Sequence, residues 1–148
     1  NEGVAGQVKA APGALGYVEL AYAITNKLPA AAVKNQAGKF VEASIQSTTA
    51  AAAGAASAMP ADFRVSLTNP AGDAAYPIAS FTWLLVYKDQ PDEARGRALV
   101  RFLWWAVHDG QRHASALLYA PLPPAVVKQI EARIGQISFG GKPLLAAK

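Results

Sequence analysis

Phe81-Thr82-Trp83-Leu84-Leu85-Val86-Tyr87, followed by Lys88-Asp89-Gln90-Pro91-Asp92-Glu93, is the stretch on which the fold turns. Seven consecutive residues rich in aromatic and branched side chains, without polar alternation, predict a central strand covered by helices on both faces. The proline and two acids that follow predict a helix start, since Pro is tolerated in the first turn and carboxylates suit the positive end of the helix dipole. That helix is expected to run to about His108, with Ala98, Leu99, Phe102, Leu103 and Ala106 facing inward and Gly110 as its stop. A strand feeding a helix in this way predicts an α/β fold.

Outward from this core, Gln111 to Leu117 and Pro124 to Ile134 predict two further helices, separated by Pro121 and Pro123. Upstream, Pro60, Pro70 and Pro77 with Asn69-Pro70-Ala71-Gly72-Asp73 mark a connector holding one short strand, Arg64 to Leu67. The alanine-rich run from Ser44 to Ala56 has the highest intrinsic helix propensity, with Ser44 as N-cap and Gly54 as a weak point near its end. Before it, Ala32 to Asn35 and Lys39 to Glu42 flank Gln36-Ala37-Gly38 as a hairpin. Asn1 to Ala11 predicts a helix with Asn1 as N-cap and Val4, Val8 and Ala11 on one face, stopped by Pro12-Gly13. Leu15 to Val18 predicts a buried strand, and Glu19 to Asn26 a helix.

The 148 residues are 52% hydrophobic and 16% charged, too apolar and too weakly charged for general disorder. A chain of this length buries about 70% of its unfolded surface as one domain. No stretch reaches the about 18 to 20 consecutive apolar residues of a helical membrane span. Without cysteine there are no disulfides, thiolate nucleophiles or cysteine metal sites. The net charge of +4 steers acidic partners weakly and is too sparse for a nucleic-acid stripe. Asn1 carries behind it no basic segment followed by an apolar one, so any signal peptide is expected upstream or removed.

Chemistry-bearing residues are few. His108 and His113 straddle Gly110, a spacing that does not match two metal ligands on one helix face. Asp109 adjoins His108, but no Gly-x-Ser-x-Gly elbow supplies a nucleophile, and both histidines read as cations near a helix C-terminus. Gly13/Gly16 and Gly140/Gly141 match no nucleotide-binding loop. Arg95, Arg97, Arg101 and Arg112 interleave with Trp104 and Trp105. This reads as a solvated basic face, with a cation–π contact from Arg101 or an aromatic nucleic-acid surface as alternatives.

The blocks Asn1-Glu2-Gly3-Val4-Ala5, Pro12-Gly13-Ala14-Leu15-Gly16-Tyr17-Val18-Glu19-Leu20-Ala21-Tyr22-Ala23, Leu67-Thr68-Asn69, Tyr76-Pro77-Ile78, Leu84-Leu85-Val86 with Lys88-Asp89-Gln90, Tyr119-Ala120-Pro121-Leu122-Pro123 and Gly141-Lys142-Pro143-Leu144 occur in order along the whole chain. Together they resemble the periplasmic phosphate-binding proteins of bacterial phosphate ABC transporters. The resemblance implies an α/β fold, the C-terminal portion of a two-lobed type II periplasmic binding protein: residues 1–76 in the second lobe, 77–80 a crossover, 81–148 the C-terminal part of the first lobe. It implies a periplasmic, non-enzymatic component that delivers inorganic phosphate to an ABC permease in the membrane, without cofactor, metal or nucleic acid.

Phosphate in this family is held by hydroxyl and backbone N–H donors at helix N-termini, an arginine and an aspartate. The family's segments resembling Gly-Ala-Thr-Phe, Ser-Ser-Gly and Arg-x-Asp-x-Ser-Gly-Thr lie upstream of the part matched here and do not occur in this chain. No ligand-binding, catalytic or metal residue is therefore carried over, and neither Arg64 nor Arg101 fills the vacancy. The alternative is a structural or interaction fragment that self-associates or pairs with an N-terminal segment and binds no ligand itself. An unrelated enzyme using His108 or His113 is a third reading.

Overall fold

A computed structural model describes residues 1–145. Helix α1 (Glu2–Ala10) is followed by α2 (Leu20–Thr25), the hairpin β1 (Val33–Lys34) and β2 (Phe40–Val41), and α3 (Ile45–Ala55). After the connector come α4 (Glu93–Val107), two 3₁₀ turns over Asp109–His113 and Ser115–Leu117, α5 (Pro124–Ile134), and the hairpin β3 (Ser138–Phe139) and β4 (Lys142–Pro143).

Helices whose signals are local form where the sequence places them. Ser44 accepts from the Ser47 N–H (3.0 Å) while the Ser47 hydroxyl accepts from the Ser44 N–H (3.0 Å), a reciprocal cap that satisfies donors with no intrahelical partner. Asp92 caps α4 by accepting from Arg95 N–H at 2.8 Å. Pro124 opens α5, where its missing N–H costs nothing. Asn1 stands at the N-cap position of α1, but its side chain does not cap that helix. Its Oδ1 accepts from the Glu19 N–H at 3.0 Å and so ties the start of α1 to the start of α2. Tyr22, whose hydroxyl donates to Glu2 at 2.9 Å, completes that link.

The expected hairpin forms with Val33 opposite Val41 and Lys34 opposite Phe40. Its turn needs the positive φ of Gly38 (77°). Buried Asn35 fastens this hairpin to the connector: its side-chain amide donates to the carbonyls of Gly72 (3.2 Å), Asp73 (2.9 Å) and Ala75 (3.1 Å), and its Oδ1 accepts from Lys39 N–H.

Three expected strands do not form. Leu15–Val18 is unpaired, with Leu15 100% exposed, and Arg64–Leu67 is also unpaired; in its neighbourhood Thr68 and Ile78 make one isolated antiparallel bridge. Phe81–Tyr87 is not a central strand: Leu85 is 98% exposed, and among the described residues no backbone hydrogen bond ties residues 79–87 to another segment. A strand exists only where a neighbour takes up its N–H and C=O groups, and the described segments that touch this one do so through side chains, without backbone pairing. The helix expected over Gln111–Leu117 is two tighter 3₁₀ turns, and on α4 the buried residues are Gly96, Val100 and Leu103, with Phe102 exposed.

Two buried clusters result. Ala52, Ala55 and Leu67 form one, with Val65, Ala79 and Phe81 against it. Val100, Leu103, Ile134, Ile137 and Leu144 form the other, between α4, α5 and the C-terminal hairpin, with Val86 against it. Segment 81–86 thus runs from one cluster to the other. Gly96 gives room where the chain returns: a Cβ there would meet Leu144 Cδ1 at 2.5 Å and Gln90 Cβ at 3.0 Å, so those side chains would have to shift.

Candidate functional site

An apolar groove of about 500 Å³ lies along segment 81–86, walled by Leu103 and Val107 of α4 and by Val126, Ile130 and Ile134 of α5. Phe63 also lines it, and its carbonyl accepts from Trp83 Nε1–H at 2.8 Å. Asp62, Lys88 and Arg133 supply charge around it. Its walls chiefly accept apolar surface, and the charged residues stand among an apolar majority.

At two of the helix N-termini where an oxyanion could be held, other groups are already in place. At the N-terminus of α3 the Ser44–Ser47 box caps the helix internally. At the N-terminus of α4 stand the carboxylates of Asp92 and Glu93, which repel an anion. Arg64 is exposed and pairs with Asp62 (Nε to Oδ2, 2.7 Å); this hydrogen bond holds the Asp62 carboxyl below its ordinary pKa. Arg97 pairs with Glu93 one turn away at 2.6 Å, and Arg112 Nε donates to His113 Nε2 at 3.2 Å. Arg101 lies exposed on α4. The basic residues do not converge, in keeping with their reading as a solvated face. Among the described residues no group of three metal-ligating side chains occurs, and no helix is long and apolar enough to cross a membrane.

One cluster escaped the sequence reading. His108 stacks on Trp104, ring centroids 4.4 Å apart. Its Nδ1 lies 2.7 Å from the Trp104 carbonyl oxygen and its Nε2 2.8 Å from Glu131 Oε1 on α5. The backbone carbonyl first, then the Glu131 carboxylate, raises the histidine pKa above its ordinary value. The four-residue spacing of Trp104 and His108 could have signalled the stack; nothing in sequence places Glu131 beside it.

A family model, the PBP superfamily domain, matches residues 1–109. The chain belongs to the PBP superfamily. Its α/β class and its relation to type II periplasmic binding proteins follow from that membership. Within the superfamily the chain is 45% identical over 132 residues to the phosphate-binding protein PstS of Xylella fastidiosa strain 9a5c, covering 89% of this chain and 36% of that protein. It is 38% identical over 133 residues to the phosphate-binding protein PstS of Pasteurella multocida, covering 90% and 39% respectively. To the protein of the same name from Methanocaldococcus jannaschii it is 37% identical over 142 residues, 86% of this chain and 36% of that one. This PBP superfamily chain therefore spans a little over a third of the length of these curated relatives.

Proposed function

We propose that this chain is a C-terminal portion of the phosphate-binding component of a phosphate ABC transporter, a periplasmic binding protein and not an enzyme, which carries inorganic phosphate to the membrane permease. The observation that carries the reading is 45% identity across 89% of the chain to a protein named for phosphate binding. Residues 1–76 belong to the second lobe, 77–80 are the crossover and 81–148 complete the first lobe. Two separate buried clusters support a division into two packing units, although Ala79 and Phe81 pack with the first of them, across the proposed crossover.

The phosphate ligands lie on segments outside this chain. That assignment is supported by the absence of the family's ligand motifs from the sequence and by the capped or acidic N-termini of α3 and α4. Radiolabelled phosphate at micromolar concentration is expected to bind the complete receptor and not this chain alone. Binding by the isolated chain would sink the placement of the ligands; a complete receptor that ignores phosphate would sink the function.

A second reading, an interaction fragment that self-associates or pairs with an N-terminal segment, is favoured by the exposed apolar residues Leu15, Tyr17, Leu84, Leu85 and Tyr87. Covering them by another segment or copy removes both the solvated apolar area and the unpaired backbone.

A further inference from the structure

We propose that His108 is a proton-dependent clamp between α4 and α5, closed by the doubly protonated imidazole and opened when the ring loses a proton. The two ring nitrogens face groups that only accept: the Trp104 carbonyl at 2.7 Å and the Glu131 carboxylate at 2.8 Å. A neutral imidazole has one N–H and can donate to one of them, leaving a lone pair against the other. Both contacts are satisfied together only by the cation. The Trp104 face, stacked 4.4 Å away, favours a cation for a further reason, the negative potential above the indole ring.

The charged groups that bear on the ring are Glu131 from α5 and Asp109 from the turn after α4; both favour its protonated form. Arg112 and His113 in that turn are bonded to each other. With its pKa raised above the ordinary 6.5, the ring contributes its full stabilisation below 6.5, and this is lost as pH rises through the higher, folded-state value. The neutral ring keeps one of its two contacts, and where it keeps the Trp104 carbonyl the polar link from the end of α4 to α5 is lost while the apolar packing of Leu103 and Val107 with Ile130 and Ile134 remains. Leu103 and Val107 on one helix and Ile130 and Ile134 on the other wall the groove that residues 81–86 also line, so the clamp sets how closely the two helical walls of that groove are held.

The test is a proton–nitrogen NMR titration of the full-length protein that carries this sequence, with the His108 resonance assigned as the one lost in His108→Gln. Both ring nitrogens are expected to be protonated at pH 6, with a midpoint above 6.5 that falls in Glu131→Gln. A singly protonated ring at pH 6, a midpoint at or below 6.5, or a midpoint indifferent to Glu131→Gln would overturn the proposal. Should the Glu131 variant not fold, the wild-type protonation state and midpoint decide alone. In thermal unfolding, the stability lost in His108→Gln is expected to shrink as pH rises through the midpoint; a loss constant with pH also refutes the clamp.

Discussion

Gly54 shows how a residue can mean one thing to its helix and another to its neighbours. Replacing a glycine inside an α-helix by alanine ordinarily gains up to about 1 kcal/mol. Here the added Cβ would overlap the Ala71 carbonyl oxygen, which the connector lays directly against α3. Gly54→Ala is therefore expected to destabilise by about 1 to 3 kcal/mol, the usual cost of overpacking, visible as a lower urea midpoint at unchanged slope; a gain in stability would show that the connector does not pack there. The sequence marked Gly54 only as a weak point, because Ala71 is distant in sequence. Asn35, too, stands in the sequence only as the end of a strand, and its three carbonyl partners at positions 72, 73 and 75 are equally remote.

At the scale of elements, the helices that carry their own start signals are the reliable parts. Ser44 does for α3 what its sequence context announces, and Ser44→Ala is expected to lower stability by about 1 kcal/mol, as for other N-cap serines, measured by thermal unfolding. Ser44→Asp, which keeps an acceptor, should restore most of it; failure to do so would mean that the cap is not the cause. Extended segments behave differently. Phe81–Tyr87 has a composition suited to a strand, yet strand pairing is a property of two segments, and residues 79–87 have no described backbone partner. Of its side chains, Phe81 and Val86 reach the buried clusters while Leu84 and Leu85 face solvent. The buried strand expected at Leu15–Val18 fails for the same reason, with Gly16 lying against Val4 and Val8.

The whole molecule consequently presents two apolar stretches on the surface of a chain whose net charge is only +4. Such surfaces with open backbone edges are templates for addition of another strand. The isolated chain is expected to self-associate at tens of micromolar or to bind stoichiometrically a supplied N-terminal segment of its receptor, as read by multi-angle light scattering. A monodisperse, well-folded monomer that ignores that segment would count against the pairing reading. The capped helices, the α4–α5 core and the C-terminal hairpin do not depend on such a partner, because their hydrogen bonds and apolar contacts close within the chain.

By itself the sequence determined the five α-helices of the described residues, the Gly38 hairpin and, through ordered blocks along its length, the family. These rest on interactions within a few residues: caps, turn glycines and the spacing of apolar side chains. Tertiary structure alone decided that Phe81–Tyr87 stays unpaired, that α4 turns Val100 inward and Phe102 outward, that Gly54 is a contact, and that Glu131 meets His108. Each depends on which segment arrives from elsewhere in the chain, and a hydrogen bond or buried face has no meaning until that neighbour is in place.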